Sequence, residues 1–339
     1  MGMLVDGRWR DEDRQIEDGA FVRAASRYSE DLVEDIAGAL ALEPGRYHLV
    51  ASLSCPWSHR TLIVRALNGL AAKVPLQIAG GQRVEGYPID HGRNWRVPGT
   101  EQSILHVHQL YSLSDPSYTG RASVPILWDA QQLRIVRNDS AAIMRAFDAA
   151  RCHGADDFTL VPAELRDAID TVSACIYRNL SNAVYRAGLA ERQDAYDEAV
   201  DSVFRTLDRL EDRLSSRRYL FDVITEADWR LFTTLARFDA VYATHFRCTR
   251  RRLTDYPNLW GYARDLYGWR GIAETVDIGA ILDGYYRNDG SNPYGIVAAP
   301  PDVDWRAAHG RAELGDARLM LRTGRVVTVE PSTRRIVDG

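Results

Sequence analysis

A change of period near residue 151 restricts the fold more than any other feature of this sequence. Before it, short β-branched and aromatic runs alternate with helical patterns; beyond it, long helical patterns follow one another and strand signals vanish. The strand-like runs are Arg46 to Leu53, Val74 to Ala79, Val124 to Trp128 and Leu133 to Val136, the last two close enough for a hairpin. A helix is expected from Pro56, because Leu62, Ile63, Ala66, Leu67 and Leu70 recur on one face and proline suits a first turn. Further helices are expected over Glu101 to Leu113 and from Ser140, with Ile143, Met144 and Phe147 on one side. A Gly-rich, polar excursion from Gly80 to Thr100 lies between the second strand-like run and the helix expected from Glu101. Strand, helix, strand, excursion, helix, hairpin, helix is an α/β layer order. The patterns over Pro162 to Ala190, Asp194 to Leu214 and Glu226 to His245, with shorter ones near Asn258 and Ile272, predict an all-α second domain. Thr225 and Asp228 open one of these helices with a hydroxyl and, three residues on, a carboxylate, the pattern of a capping box. The expected organisation is an N-terminal arm (1–45), an α/β domain (46–155), a helical domain (156–300) and an extension (301–339) with a late hairpin from Arg318 to Val337.

Charge narrows the partners. With 42 basic and 47 acidic side chains the 339-residue chain carries a formal charge of −5, so no global positive field exists to hold nucleic acid or an anionic membrane surface. No run approaches the roughly 18 apolar residues of a membrane span, and Met1 to Arg14 is charged where a signal peptide is apolar. A cytoplasmic protein is expected, with small molecules or its own copies as partners. The cysteines, Cys55, Cys152, Cys175 and Cys248, include no C-x-x-C pair. His106 and His108 stand two apart on an expected helix, hence on different faces, and Cys152-His153 has no third ligand nearby. No metal site is expected.

The chemistry is expected in S-C-P-W-S-H-R, Ser54 to Arg60, where a strand gives way to a helix. A thiol at a helix N-terminus faces unpaired N–H groups and the positive end of the dipole, both favouring the nucleophilic thiolate. The bland alternative is a buried core cysteine. Where a dithiol oxidoreductase has its second cysteine, this chain has Ser58. A mixed disulfide on Cys55 would therefore be resolved by a thiol from solution, which makes a low-molecular-weight thiol the natural co-substrate. Val124-Pro125 belongs at a sheet edge or turn, and a cis bond there would present the Val124 backbone to an extended, peptide-like ligand. Asp139 and Ser140 at a helix start suit the ammonium and carboxylate of an amino acid, or else form an ordinary cap.

Taken in order, these segments resemble the glutathionyl-hydroquinone reductases, the Xi class of glutathione transferases, over roughly Arg46 to Pro301. The resemblance lies in C-P-W-S-H-R at Cys55, D-P-S-Y-T-G-R-A-S-V-P-I-L-W-D at Asp115, N-D-S-A-A-I at Asn138 and I-Y-R-N-L-S-N-A-V-Y-R-A-G at Ile176. It continues in I-T-E-A-D-W-R-L at Ile224, T-H-F-R-C at Thr244 and Y-Y-R-N-D-G-S-N-P-Y-G-I at Tyr285. It implies a thioredoxin-like N-terminal domain, a helical C-terminal domain, a homodimer, and glutathione as co-substrate. It also implies that Cys55 attacks the sulfur of an S-glutathionyl-hydroquinone, that a second glutathione frees the enzyme, and that Tyr185 and Tyr285 assist at the quinol oxygens. Three places depart from the family's pattern: Gly86-Tyr87 replaces Gly-Trp, Asp139-Ser140 replaces Glu-Ser, and Asn288-Asp289 replaces Ser-His. Tyr87, Val124, Asp139 and Ser140 are the expected thiol-binding residues, and these departures leave open another thiol such as mycothiol or γ-glutamylcysteine. A carrier of aromatic ligands, with Cys55 incidental, is the alternative from another functional class.

Overall fold

The computed structural model describes residues 2–11, 16–23, 28, 33–150, 157–288, 290 and 292–337. The chain divides into two compact units, one of Met1–Gln15, Arg23–Cys152 and Asp277–Ala299, the other of Ile16–Val22, His153–Val276 and Pro300–Gly339.

The first unit is built on four strands, β1 (Tyr47–Ala51), β2 (Leu76–Ile78), β3 (Ile126–Asp129) and β4 (Arg134–Arg137), in the order β4-β3-β1-β2. β1 and β2 are parallel; the other pairs are antiparallel. Helices α1 (Val33–Leu42), α2 (Pro56–Leu67), α3 (Val107–Ser114) and α4 (Ser140–Ala149) complete the layers, α4 packing on both α1 and α2. Successive strand residues face opposite sides. The pair Val50 and Ile126 joins Trp128, Ile135 and the α3 residues Val107, Leu110 and Tyr111 in one core, while Leu49 and Leu127, equally buried, face the other side. A sheet covered on both faces explains why β1 and β3 read as continuous apolar runs.

In the second unit, α5 (Arg166–Ile176), α6 (Ala183–Gly188), α7 (Gln193–Leu214), α8 (Glu226–Arg237) and α9 (Pro257–Tyr267) form a helical assembly. α8 is buried almost all round and packs against α5 and α9, and α7 packs against α6 and α9. At its head, Asp228 accepts the Thr225 N–H at 2.8 Å, the Leu220 N–H at 2.9 Å and the Tyr262 hydroxyl at 2.9 Å. The carboxylate half of the expected capping box thus also ties α9 to α8. A small antiparallel sheet, β5 (Phe158–Thr159), β6 (Arg318–Leu321), β7 (Val326–Glu330) and β8 (Arg335–Ile336), closes the unit. One further helix, α10 (Ile278–Tyr286), follows α9 in sequence but belongs to the first unit.

Four details differ from the sequence reading. The arm, expected to be irregular, contains α1, whose Ile36, Ala37 and Leu40 bury one helical face. α3 begins at Val107, not near Glu101, because Ser103–Ile104 pairs with Trp95–Arg96 and Gln109 Oε1 accepts the N–H groups of Leu105 and His106 at 2.7 and 2.9 Å. The long helical patterns after Pro162 and Glu226 are each interrupted by a π-turn, Tyr177–Ser181 and Phe238–Tyr242. β5 is two residues long, too short for any period, and its partner β6 is more than 150 residues away. Among the described residues no helix is long and apolar enough to cross a membrane.

Candidate active site at the head of α2

The turn between β1 and α2 is held by local polar contacts. The Cys55 N–H donates to Ser52 O at 3.1 Å, Ser58 Oγ accepts the Ser52 N–H at 3.2 Å, and the hydroxyls of Ser52 and Ser54 share a 3.0 Å hydrogen bond. Ser58, fully buried, thus fixes the turn from the position where a dithiol protein has its second sulfur. Cys55 is the N-cap residue in extended conformation, with Pro56 starting the helix and the His59 N–H bonded to Cys55 O at 3.0 Å. The residue is 7% exposed, and its thiol donates to Val124 O at 3.5 Å. The Val124–Pro125 bond is cis, and no described residue bonds the Val124 N–H. Among the described residues Cys55 is the only cysteine of the first unit. Cys175 and Cys248 lie in the second, where burial pushes the Cys248 thiol up to about 12. Cys152 and His153 lie outside the described residues.

The first unit also holds several other expected residues. Tyr87 packs against the core cluster that contains Cys55, and its carbonyl accepts the Val107 N–H at 2.9 Å. Burial raises its phenol above the usual range, against the opposing pull of Arg83, whose guanidinium lies 3.9 Å from the ring centroid. Trp57 is flanked by the guanidinium groups of Arg60 at 4.4 Å and Arg23 at 5.1 Å. At the head of α4, Asp139 Oδ1 accepts the Ala142 N–H at 2.8 Å, so one carboxylate oxygen serves the helix as a cap. Ser140 follows, 8% exposed.

Two residues not singled out from sequence connect these parts. The buried Tyr111 hydroxyl donates to Ser123 O at 2.9 Å and accepts from Asn138 Nδ2 at 2.9 Å, linking the segment before Val124 to the segment before Asp139. Burial, only partly offset by these hydrogen bonds, pushes its phenol up to about 12. Gly284, in α10, comes so close to the turn that a Cβ there would stand 2.2 Å from Ser54 Cβ. Tyr285 is the next residue of α10. Past α10, Asn288 Oδ1 accepts the Arg83 N–H at 2.6 Å, tying the excursion to the helix end; Asp289 lies outside the described residues. The signal for Gly284 was a glycine within an otherwise regular helical run, and for Tyr111 an aromatic on the core face of α3.

Tyr185 is placed in the second unit, in a cluster with Phe246 at 5.3 Å, Tyr242 at 6.0 Å and Phe21 at 6.3 Å between ring centroids. The histidine pair corrects a sequence expectation. His106 is the extended N-cap of α3 and not a helical residue, so its ring stacks on that of His108 at 5.6 Å and both turn toward Glu85. Burial lowers the His108 imidazole, partly offset by its hydrogen bond to Glu85.

Comparison with known proteins identifies the family. Residues 54–150 match the family described as "Glutathione S-transferase, N-terminal domain", and 193–265 match "Glutathione S-transferase, C-terminal domain". The chain is 43% identical over 327 residues to glutathionyl-hydroquinone reductase YqjG of Escherichia coli K12, covering 92% of this chain and 98% of that one. It is 42% identical over 307 residues to glutathionyl-hydroquinone reductase PcpF of Sphingobium chlorophenolicum, covering 89% and 96%. Among solved structures, glutathione-bound YqjG superposes with a TM-score of 0.78 at 41% identity, covering 91% of this chain and 99% of that one. A Xi-class transferase from Natrialba magadii gives 0.77 at 38%, covering 93% and 98%. With two-domain architecture, the C-P-W-S turn and relatives of this identity matched over almost their whole length, the chain belongs to the glutathionyl-hydroquinone reductases, the Xi class of glutathione transferases.

Proposed function

We propose that this chain is a glutathione-dependent reductase of S-glutathionyl-hydroquinones with Cys55 as its nucleophile. The observation that carries the reading is the placement of Cys55 at the head of α2, its sulfur directed at Val124 O, with no second cysteine among the described residues of that unit. The Cys55 thiolate attacks the glutathionyl sulfur and the bond between that sulfur and the ring carbon breaks. Its electron pair stays with the ring carbon, which takes a proton to give the hydroquinone. Cys55 is left as a mixed disulfide with glutathione. A second glutathione thiolate attacks that disulfide, forms glutathione disulfide and returns the Cys55 thiolate.

Tyr285 and Tyr185 serve the quinol oxygens as hydrogen-bond partners and proton carriers. The Val124 backbone and Tyr87 hold the thiol tripeptide, while the Ser140 hydroxyl and the first N–H groups of α4 take a carboxylate. The glutamyl ammonium falls to the Asp139 oxygen that does not cap Ala142. Because Asp139 is already engaged and one methylene shorter than glutamate, a second reading keeps the chemistry and changes the thiol to mycothiol or γ-glutamylcysteine. Assembly as a homodimer and a cytoplasmic setting belong to the same proposal, and light scattering checks the first.

The test combines turnover with intact mass. Purified protein is supplied with each thiol in turn and an S-thiolated hydroquinone. Turnover with glutathione, a glutathione adduct on Cys55, and loss of at least about 10³-fold in Cys55→Ser are expected. Retained turnover in Cys55→Ser refutes the nucleophile, and turnover with another thiol alone replaces glutathione.

A further inference from the structure

We propose that Glu85, His106 and His108 form a binding site for one divalent transition-metal ion of the zinc class. His108 Nε2 lies 3.1 Å and His106 Nδ1 3.9 Å from the same oxygen of Glu85, and one donor atom from each residue can be chosen so that all lie within 4.8 Å of one another. Two imidazoles and a carboxylate are the donors such ions favour. Donors about 2.0–2.1 Å from a tetrahedral ion stand roughly 3.3–3.4 Å apart, so the widest separation has to contract by about 1.4 Å.

The backbone already positions these residues. The His106 N–H is held by Gln109 Oε1, Pro88 and His106 form an antiparallel bridge, and the Ile89 N–H donates to Leu105 O at 2.7 Å. Glu85 stands just before this ladder, and the His108 ring packs on Trp9 at 4.9 Å. The His108 side chain is 9% exposed and that of Glu85 48%, so the site has a fixed floor and an open side for entry and for water ligands. An ion bound there would pin the excursion that carries Arg83 and Tyr87 to the head of α3. The inference is independent of the proposed reaction.

The test titrates Zn²⁺ and Co²⁺ into the Cys55→Ser protein, which removes the nucleophilic thiol as a competing ligand. Saturable binding of one ion per chain is expected, with Co²⁺ ligand-field bands and no sulfur charge-transfer band. Glu85→Gln and His108→Ala should each weaken binding by at least about tenfold. Glu85 is half exposed, so Glu85→Gln decides the matter should His108→Ala fail to fold. No saturable binding, a sulfur charge-transfer band, or an affinity within tenfold of the parent in Glu85→Gln overturns the proposal.

Discussion

Gly284→Ala tests how the end of α10 supports the Cys55 turn. The new Cβ would stand 2.2 Å from Ser54 Cβ and 2.5 Å from Ser54 Oγ, whereas ordinary contact begins near 3.4 Å. Ser54 Cβ is attached directly to the backbone and cannot swing aside, so α10 and the turn must part by about 1.2 Å. Overpacking of this kind costs about 1–3 kcal/mol, or a few degrees in Tm for a chain of this size. Displacing a reacting group by about 1 Å costs on the order of 10²-fold in rate. Gly284→Ala should therefore lower kcat/KM for the thiolated hydroquinone by about two orders of magnitude. Replacing Ser54 with glycine removes the obstructing atoms and leaves Ser54 Cα at 3.7 Å, an ordinary contact. The double variant Gly284→Ala with Ser54→Gly should then recover most of the activity and melting temperature lost in the single one. Steady-state kinetics and thermal melts on both variants make the check. A single variant with wild-type kcat/KM, or a double variant no better than the single, refutes the packing account.

Asp139→Ala removes the cap of α4 and should cost about 1 kcal/mol in urea unfolding, with a raised KM for the thiol; Asp139→Asn, which still accepts the Ala142 N–H, should restore stability but not KM. Asn288→Ala deletes the acceptor of the Arg83 N–H, and hydrogen exchange over 80–88 should accelerate while α2 is unaffected. Asp129, fully buried, would be raised by burial alone, but hydrogen bonds from Arg46 at 2.7 and 3.0 Å and from the N–H groups of Gln132 and Gln131 outweigh this and hold its carboxyl below the usual range. With the folded value depressed, its stabilisation is complete above the ordinary carboxylate value of about 4 and is lost as pH falls through the lowered one. Asp129→Ala should cost about 3–5 kcal/mol near neutrality, and denaturant melts should show a smaller loss on acidification than in the parent.

Residue order was enough to read the fold class, the succession of β1, α2, β2, β3, β4 and α4, and the seat of Cys55 between a strand and a proline-headed helix. Those features are local. The apolar period of a segment follows from which of its faces leaves water, and Pro56 and Asp139 act within one turn of their own position. The same locality extends the expected α3 back to Glu101: the apolar pattern does not reveal that Ser103 and Ile104 have a strand partner. Packing of the whole chain is what rests Gly284 on Ser54, joins Ser123 to Asn138 through Tyr111, pairs β5 with β6, and turns two histidines expected on different helix faces toward one carboxylate. Apart from the histidine pair, whose place depends on where a helix begins, each of these joins segments well separated along the chain. Such proximity is fixed when whole layers pack and satisfy their buried polar groups together, a condition that the order of residues in one segment does not express.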